Sequence, residues 1–508
     1  MTGSAALRAL TPKSASARGL TVRPRITERP AGIVHLGLSN FHRGHQALYT
    51  AKALDVQEGP WGITGVARQT RDVIDALNAQ GLAYSILTLD GEQAHADIVR
   101  VHQDLVVGAD DPGRVVSAIA APATRIVTIT VTEAGYTYDP LTGTLDRNRS
   151  ALAGDLTGRA PQTTIGQLAA GIRQRHAAGG LPLTVMSCDN LVENGALTSR
   201  LVREFLQLTV PVPELAELDA WMLHNMTFPS SMVDRIVPRT TQGHRDLSRK
   251  LTGLDDSCPV PAEAFSMWVI EDKFATERPL WNEVGAVISD DVHSYELLKI
   301  RLLNGTHSLI AYLGMLFDAE TIDASIGDMD VHAVADAFMD EMCTTLQVPE
   351  GLDLDDYRRS LFRRFANTAT GHRTSQVGSD GSLKVPTRIS DPVIQRSAEG
   401  LRSPMSALLA AVFILVTTQP AATSPSVREG LRDPSLDLLQ RLGGEHPSAP
   451  NLVRAVIVES GIFPAGLAHE TGFLADCVEF YEMCSAGGTR AAIQSATLKS
   501  PTELKARP

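Results

Sequence analysis

Between residues 32 and 188 the chain alternates short β-branched apolar runs with stretches of helical period. The runs are "GIVHLG", "WGITGVA", "YSILTLD", "RIVTITV" and "LTVMSC". Several are apolar at successive positions, as in strands covered on both faces. Strands that alternate with helices predict a parallel, doubly wound sheet. Beyond about residue 290 the strand signal fades, and apolar residues recur at helical spacing over 295–317, 331–346, 357–367, 405–418 and 467–484. Polar stretches bearing Pro and Gly at 240–262, 372–388 and 419–450 read as loops. The two halves differ in kind. The expectation is an α/β architecture: an N-terminal arm over 1–30, a doubly wound sheet domain over 31–290 and a mainly α-helical domain over 291–508.

Composition narrows the function classes. The chain has 508 residues, 43% hydrophobic and 20% charged, with a net charge of −12, which suits a globular protein with a large core. The negative balance argues against broad nucleic-acid or anionic-membrane contact, while leaving room for a local basic pocket. Cys188, Cys258, Cys343, Cys477 and Cys484 are scattered and form no CxxC pair. That pattern fits a reducing cytoplasm and neither a disulfide framework nor a structural zinc site. The longest apolar run, 405–416, is too short to span a bilayer. Residues 1–30 hold six basic side chains and one acid, without the apolar centre of a secretory signal, and read as a surface arm on the domain.

The first run leads into "HLGLSNFHRGHQALY". In a dinucleotide-binding fold this turn carries backbone N–H groups and a helix N-terminus to a pyrophosphate. Gly37 stands where the first glycine of G-x-G-x-x-G belongs, Ser39 replaces the second and His42 the third. A plain strand-to-helix turn fits these residues equally well. Position favours the dinucleotide, because this is the first strand of the series. Ser39 is small enough for a phosphate to approach, and Arg43 could add a charge-assisted contact. The second run ends in Arg68-Gln69-Thr70-Arg71, where an NAD site often has an acid, and Asp72 comes late. NAD(H) is the expected cofactor, and Arg68 keeps NADP(H) open as a 2′-phosphate partner.

"KIRLLNGTHSLI", residues 299–310, opens an apolar helix with three polar interruptions. At 100° per residue, His307 lies about 80° and Asn304 about 140° from Lys299, on one face. Apolar neighbours would lower the lysine pKa toward a range useful for acid–base work, and an asparagine amide can donate to a developing oxyanion. A snorkelling lysine and a polar kink satisfy the same spacing.

"YELLKIRLLNGTHSLIAYLG" resembles the signature of the polyol-specific long-chain dehydrogenases, the mannitol dehydrogenase and fructuronate reductase family. In that signature a Lys, an Asn five residues on and a His three further form the active site. "GIVHLGLSNFHRGHQ" is similar to the family's cofactor turn, with Ser39 where a glycine is usual. "VTEAGY" (131–136), "SCDNLVENG" (187–195), "FPSSMVDRIVP" (228–238) and "WVIEDKF" (268–274) follow in the family's order. The resemblance covers about residues 30–390.

It implies a Rossmann-type first domain, a helical substrate domain, zinc-independent chemistry, NAD(H) or NADP(H), no metal site and a monomer in the cytoplasm. Lys299 would be the acid–base, Asn304 and Asn194 the oxyanion donors, with Asn190 a substitute for the latter, and His307 would hold a hydroxyl. Glu296 would relay the proton, although an i,i+3 ion pair with Lys299 fits equally. Gly37, Ser39, Asn40, Phe41, Arg43, Arg68, Thr132 and Glu133 would meet the cofactor. His35, His42 and His45 belong to that turn, which argues against a metal there. Asp234 matches a substrate contact, and a structural aspartate paired with Arg235 would look the same. Lys384 resembles the substrate-binding lysine, and Gln376 stands where the mannitol-oxidising branch has arginine. His372, Arg373, Lys384 and Arg388 could meet a sugar-acid carboxylate. The expected partner is a small sugar alcohol, ketose or hexuronate, with fructuronate/D-mannonate ahead of fructose/D-mannitol. A mannitol 1-phosphate dehydrogenase and a catalytically silent dinucleotide sensor are the alternatives.

Overall fold

The computed structural model describes residues 8–25, 29–91, 93–139 and 142–500. Its contacts divide the chain into two units, Met1–His293 and Ser294–Pro508.

The first unit is built on six strands: β1 (Ile33–Leu36), β2 (Ile63–Ala67), β3 (His102–Val107), β4 (Ile126–Ile129), β5 (Leu183–Ser187) and β6 (Met226–Thr227). Their order is β6-β5-β4-β1-β2-β3, and every neighbouring pair is parallel. All residues of β1, β2, β4 and β5 are buried. Successive side chains enter opposite cores: Ile33, Ile63, Ile126 and Met186 one, Val34, Val66, Val127 and Val185 the other. Both faces are covered, so these strands are apolar without alternation. Each such side chain contributes about 1.5–3 kcal/mol on burial. Strand order reverses between β1 and β4, and the crevice at their carboxyl ends is where such sheets take ligands.

One expected strand lies elsewhere. Tyr84–Asp90 pairs antiparallel with Gln93–Val99 and parallel with Val260–Glu263, in a four-stranded sheet that Val22–Arg23 completes. The cause is local: Asp90 pairs with Gln93 across a two-residue turn that has Gly91 at φ +58°, and a hairpin keeps neighbouring strands together. The main sheet instead takes its edge from β3, whose polar His102, Gln103 and Asp104 hid it. A third sheet joins Ser231–Asp234, Met267–Glu271 and Val287–Ser289.

Residues 1–7 and 26–28 of the expected arm lie outside the described residues. The rest packs on the domain: Leu10 and Ala15 bury against Ala83, Ile98 and Leu254, and Arg23 pairs with Asp55 at 2.7 Å.

In the second unit the 405–416 run is a buried helix, Pro404–Thr418, with every residue buried. It packs against Thr306–Leu316, Leu436–Glu445, Thr471–Ser485 and Thr489–Lys499. A helix apolar all round needs such company. Its N-terminus is capped by the buried Glu341, which accepts from the Met405 and Ser406 N–H groups. Among the described residues no helix is long and apolar enough to cross a membrane.

The three expected loops all contain helices: Gln242–Thr252, Thr374–Gly378 with Gly381–Ala398, and Leu436–Glu445. The helix Gly381–Ala398 carries Pro386 and Pro392 inside it. Val385, Ile389 and Val393 recur every four residues and are at most 1% exposed, and this packing outweighs the proline penalties that marked the segment as a loop.

Candidate functional site

In the first unit the turn after β1 is shaped by backbone proximity. Gly37 has φ +111°, and a Cβ there would lie 2.0 Å from the Thr130 carbonyl oxygen, so only glycine lets the turn hug the end of β4. Ser39 caps the short helix Asn40–Gly44, its hydroxyl accepting from the His42 N–H. Phe41 is half-buried, its ring stacked on His45.

Two residues expected to meet ligand at this end are engaged within the fold in this structure. Arg43 is not turned toward a phosphate. It is 2% exposed, donates to the Cys258 carbonyl at 2.6 Å and to Asn40 Oδ1 at 2.7 Å, and lies over the Tyr84 ring. It positions Asn40, whose amide donates onward to Pro238 O and Thr240 Oγ1. Asn194 is likewise engaged inside the domain. It is fully buried, and both of its amide hydrogens are taken, by Asp189 O at 3.0 Å and Ser231 O at 2.7 Å. Its substitute Asn190 is exposed in the turn just ahead.

Thr132 sits at φ +66°, ψ 166°, a conformation costly for a β-branched residue. Asp189 holds it there, accepting from the Val131 and Thr132 N–H groups and from the Tyr136 hydroxyl. Burial raises the Asp189 carboxyl pKa and these hydrogen bonds partly offset the rise. Reasoning from sequence passed over Asp189, although it stands inside "SCDN". The neighbouring Glu133 is exposed.

The histidines of the turn are a packed stack. His35 and His42 rings lie 3.4 Å apart, His42 meets His102 through their Nε2 atoms at 3.0 Å, and His35 bonds Thr128 and Thr130. His45 donates to Met267 O. Burial drives His35 and His102 down to about 3, so both are neutral near pH 7. Among the described residues no group of three or more His, Cys, Asp or Glu is arranged to hold a metal ion.

Arg68 is exposed, directly after β2. With Gln69, Ala109, Arg159, Gln162 and others it lines a cavity of about 470 Å³. Asp234 is buried at the end of its strand. Arg235 engages Glu263 O and Gly44 O.

In the second unit the helical wheel needs correction. Val292–Leu298 and Thr306–Leu316 are α-helical, but Lys299–Gly305 between them is a π-helix. Its wider turn, with i→i+5 hydrogen bonds, brings Asn304 nearer to the Lys299 face than the α-helical wheel puts it. Gly305 makes room for the Phe338 ring, 2.8 Å from where a Cβ would stand. Lys299 is 8% and Glu296 5% exposed, whereas Asn304 and His307 are half-buried.

Around His307 the structure gathers cations. Its ring lies 5.3 Å from Phe365 and 5.9 Å from His372. Burial pushes its pKa well below the ordinary value, and His372 with the cations Arg388, Arg364 and Lys384 pushes the same way; burial lowers the His372 pKa too. Arg388 donates to the Ser308 hydroxyl, and burial pulls it down to about 10. Lys384 and Arg388 share a face of Gly381–Ala398, with Lys384 donating to Ser379 O and paired with Asp380. Arg364, in the last turn of Leu354–Phe365, was missed; its only sign in the sequence was the basic run "RRF" beside a core phenylalanine. Arg373 is engaged elsewhere, with Ser426 O and Glu320, and Gln376 is exposed.

Comparison with known proteins identifies both domains. Residues 31–283 match the mannitol dehydrogenase Rossmann domain and residues 291–484 the mannitol dehydrogenase C-terminal domain. The D-mannonate oxidoreductase of Escherichia coli is 36% identical over 464 residues, 90% of this chain and 94% of that one. The polyol:NADP oxidoreductase of Gluconobacter oxydans is 35% identical over 364 residues, 70% and 73% of the two chains. The mannitol 2-dehydrogenase of Pseudomonas fluorescens, solved with NAD and D-mannitol, superposes with a TM-score of 0.83 at 31% identity, covering 97% of this chain and all of that one.

Proposed function

The chain belongs to the mannitol dehydrogenase family of nicotinamide-dependent CH–OH oxidoreductases, and from that premise we propose that it interconverts a hexuronate ketone and its aldonate, fructuronate and D-mannonate being the expected pair. The observation that carries the choice is the cation cluster around His307. Three cations, Arg388, Arg364 and Lys384, act on that ring together with the neighbouring His372. An uncharged polyol offers such a cluster only neutral hydroxyl acceptors, whereas a sugar-acid carboxylate offers it charge-assisted hydrogen bonds. A phosphorylated polyol has the same chemistry and is the second reading.

The nucleotide site fits its group: the β1–β4 switch point, the tight passage at Gly37 and the cavity at Arg68 are the parts such a fold uses. When bound, the nicotinamide supplies or takes up the hydride at the substrate carbon. The Lys299 amine takes the hydroxyl proton in oxidation and returns it in reduction. The Asn304 amide, turned toward the same face by the π-helix, donates to the oxygen on which charge develops. His307 is kept neutral and serves as a hydrogen-bond partner for a hydroxyl, and Glu296, one turn before Lys299, passes the proton on.

The test follows NADH and NADPH oxidation with fructuronate, tagaturonate, fructose and fructose 6-phosphate, for wild type and Lys299→Ala. Fructuronate is expected to turn over, and the variant to lose about 10²–10⁴-fold in kcat. Turnover of fructose alone would make the protein a mannitol 2-dehydrogenase, and fructose 6-phosphate alone a phosphopolyol enzyme. If no ketone is reduced while the dinucleotide still binds, the silent-sensor reading replaces the catalytic one.

A further inference from the structure

We propose that the cavity at the carboxyl ends of β2 and β3 is a 2′-phosphate site, with Arg68 and Arg159 as its clamp, and that the protein therefore selects NADP(H). The inference extends the dehydrogenase reading by naming its hydride carrier, and it reverses the expectation of NAD(H).

The cavity measures about 470 Å³ and is lined by Arg68, Gln69, Ala109, Ser150, Asp155, Arg159 and Gln162, among others. Its floor is the end of the sheet. Arg68 follows the last residue of β2, and the Ala109 N–H donates to the Arg68 carbonyl, which fixes the two strand ends side by side. In a doubly wound dinucleotide fold this is where the adenosine ribose comes to rest, and its 2′-substituent is read by an acid for NAD or an arginine for NADP.

The carboxylates nearby are all occupied or turned elsewhere. Asp155, the one acid lining the cavity, accepts from the Gln162 N–H, the Thr163 N–H and the Thr163 hydroxyl. It ties the segment after the helix Ser150–Leu156 back on itself, and both of its oxygens are engaged in doing so. Asp110 is paired with Arg71 at 2.6 Å, and Asp72 begins the helix Asp72–Ala79; neither lines the cavity. Among the described residues, neither Arg68 nor Arg159 has a carboxylate partner. Two guanidinium groups on one cavity, with no free acid, repel each other and reward a dianion between them. Gln69, Gln162 and Ser150 add neutral donors. The second arginine comes from the excursion between β4 and β5, so no motif at the end of β2 announces it.

The test measures binding, so it needs no sugar substrate and stands apart from the outcome of the ketone assays. Wild type is titrated calorimetrically with NADPH, NADH, adenosine 2′,5′-bisphosphate and 5′-AMP. The 2′-phosphorylated member of each pair is expected to bind more tightly. Arg68→Ala and Arg159→Ala should each weaken NADPH binding about tenfold, moving the NADPH-to-NADH affinity ratio toward one. If wild type binds NADH as tightly as NADPH, and the bisphosphate no better than 5′-AMP, the assignment is wrong. A variant that fails to fold leaves the wild-type comparison of bisphosphate with 5′-AMP to decide.

Discussion

Arg175 in the first domain and Arg388 in the second are both guanidinium groups withdrawn from water, and they are held in opposite ways. Arg175 donates to five carbonyls, those of Ile119, Ala121, Thr124, Leu181 and Pro182, and stitches two loops at the foot of the sheet. Burial alone lowers its pKa. Among the described residues Arg388 donates to one hydroxyl, that of Ser308, and stands with His307 among other cations. The first arrangement is complete without a ligand. The second has one side-chain hydrogen bond in a half-dry place, and a bound anion would add charge-assisted partners to it. Buried polarity marks a site when its hydrogen bonds and charges are left unbalanced, not merely when it is buried.

The sharpest break in that contrast is Arg175→Ala, which strands five carbonyls. It should cost on the order of 3 kcal/mol, read from urea unfolding midpoints. A cost near zero would mean water replaces the guanidinium, and the contrast would collapse. Next come Arg364→Met and Arg388→Met. Each should lower kcat/KM for a hexuronate by about 10–100-fold, mostly through KM, with little change for fructose. Equal losses on both ketones would reduce these arginines to scaffolding.

A smaller effect comes from pH. His35 and His102 ionise in the fold only at about 3, against an ordinary 6.5. Below about 6.5 the unfolded chain takes up protons that these rings refuse. Stability is therefore full above that pH and falls as the solution is acidified toward 3. Thermal midpoints at pH 7.5 and 4.5 should show the loss, and His102→Gln should lose less than wild type over that interval. Last, Thr132→Gly relieves a positive φ and should stabilise the protein by about 1 kcal/mol after the entropy cost of glycine. A destabilised variant would mean the threonine side chain contributes more than its strain costs.

Much of this was legible beforehand. The runs at β1, β2, β4 and β5 declared a doubly covered parallel sheet, 405–416 declared a buried helix, and Lys299, Asn304 and His307 stood out as polar intrusions on apolar surface. The failures share a cause. Tyr84–Asp90 looks like any buried strand, and only its hairpin partner sends it to the small sheet. Pro386 and Pro392 read as breakers until Val385, Ile389 and Val393 find a core. Arg43 read as a ligand contact because its charge suits that work, and Asn194 because its segment resembles the family's.

The sequence by itself determined the period of each element, which faces are apolar, and which residues carry chemistry, because these are properties of neighbours along the chain. Only the tertiary structure decided what each polar group touches. Asn194 meets Ser231 thirty-seven residues away, Arg43 meets Cys258, and Arg68 shares its cavity with Arg159. A hydrogen bond acts over about 3 Å in space whatever the separation along the chain. Whether an arginine or an asparagine holds the fold or waits for a ligand is therefore fixed when distant segments arrive beside it.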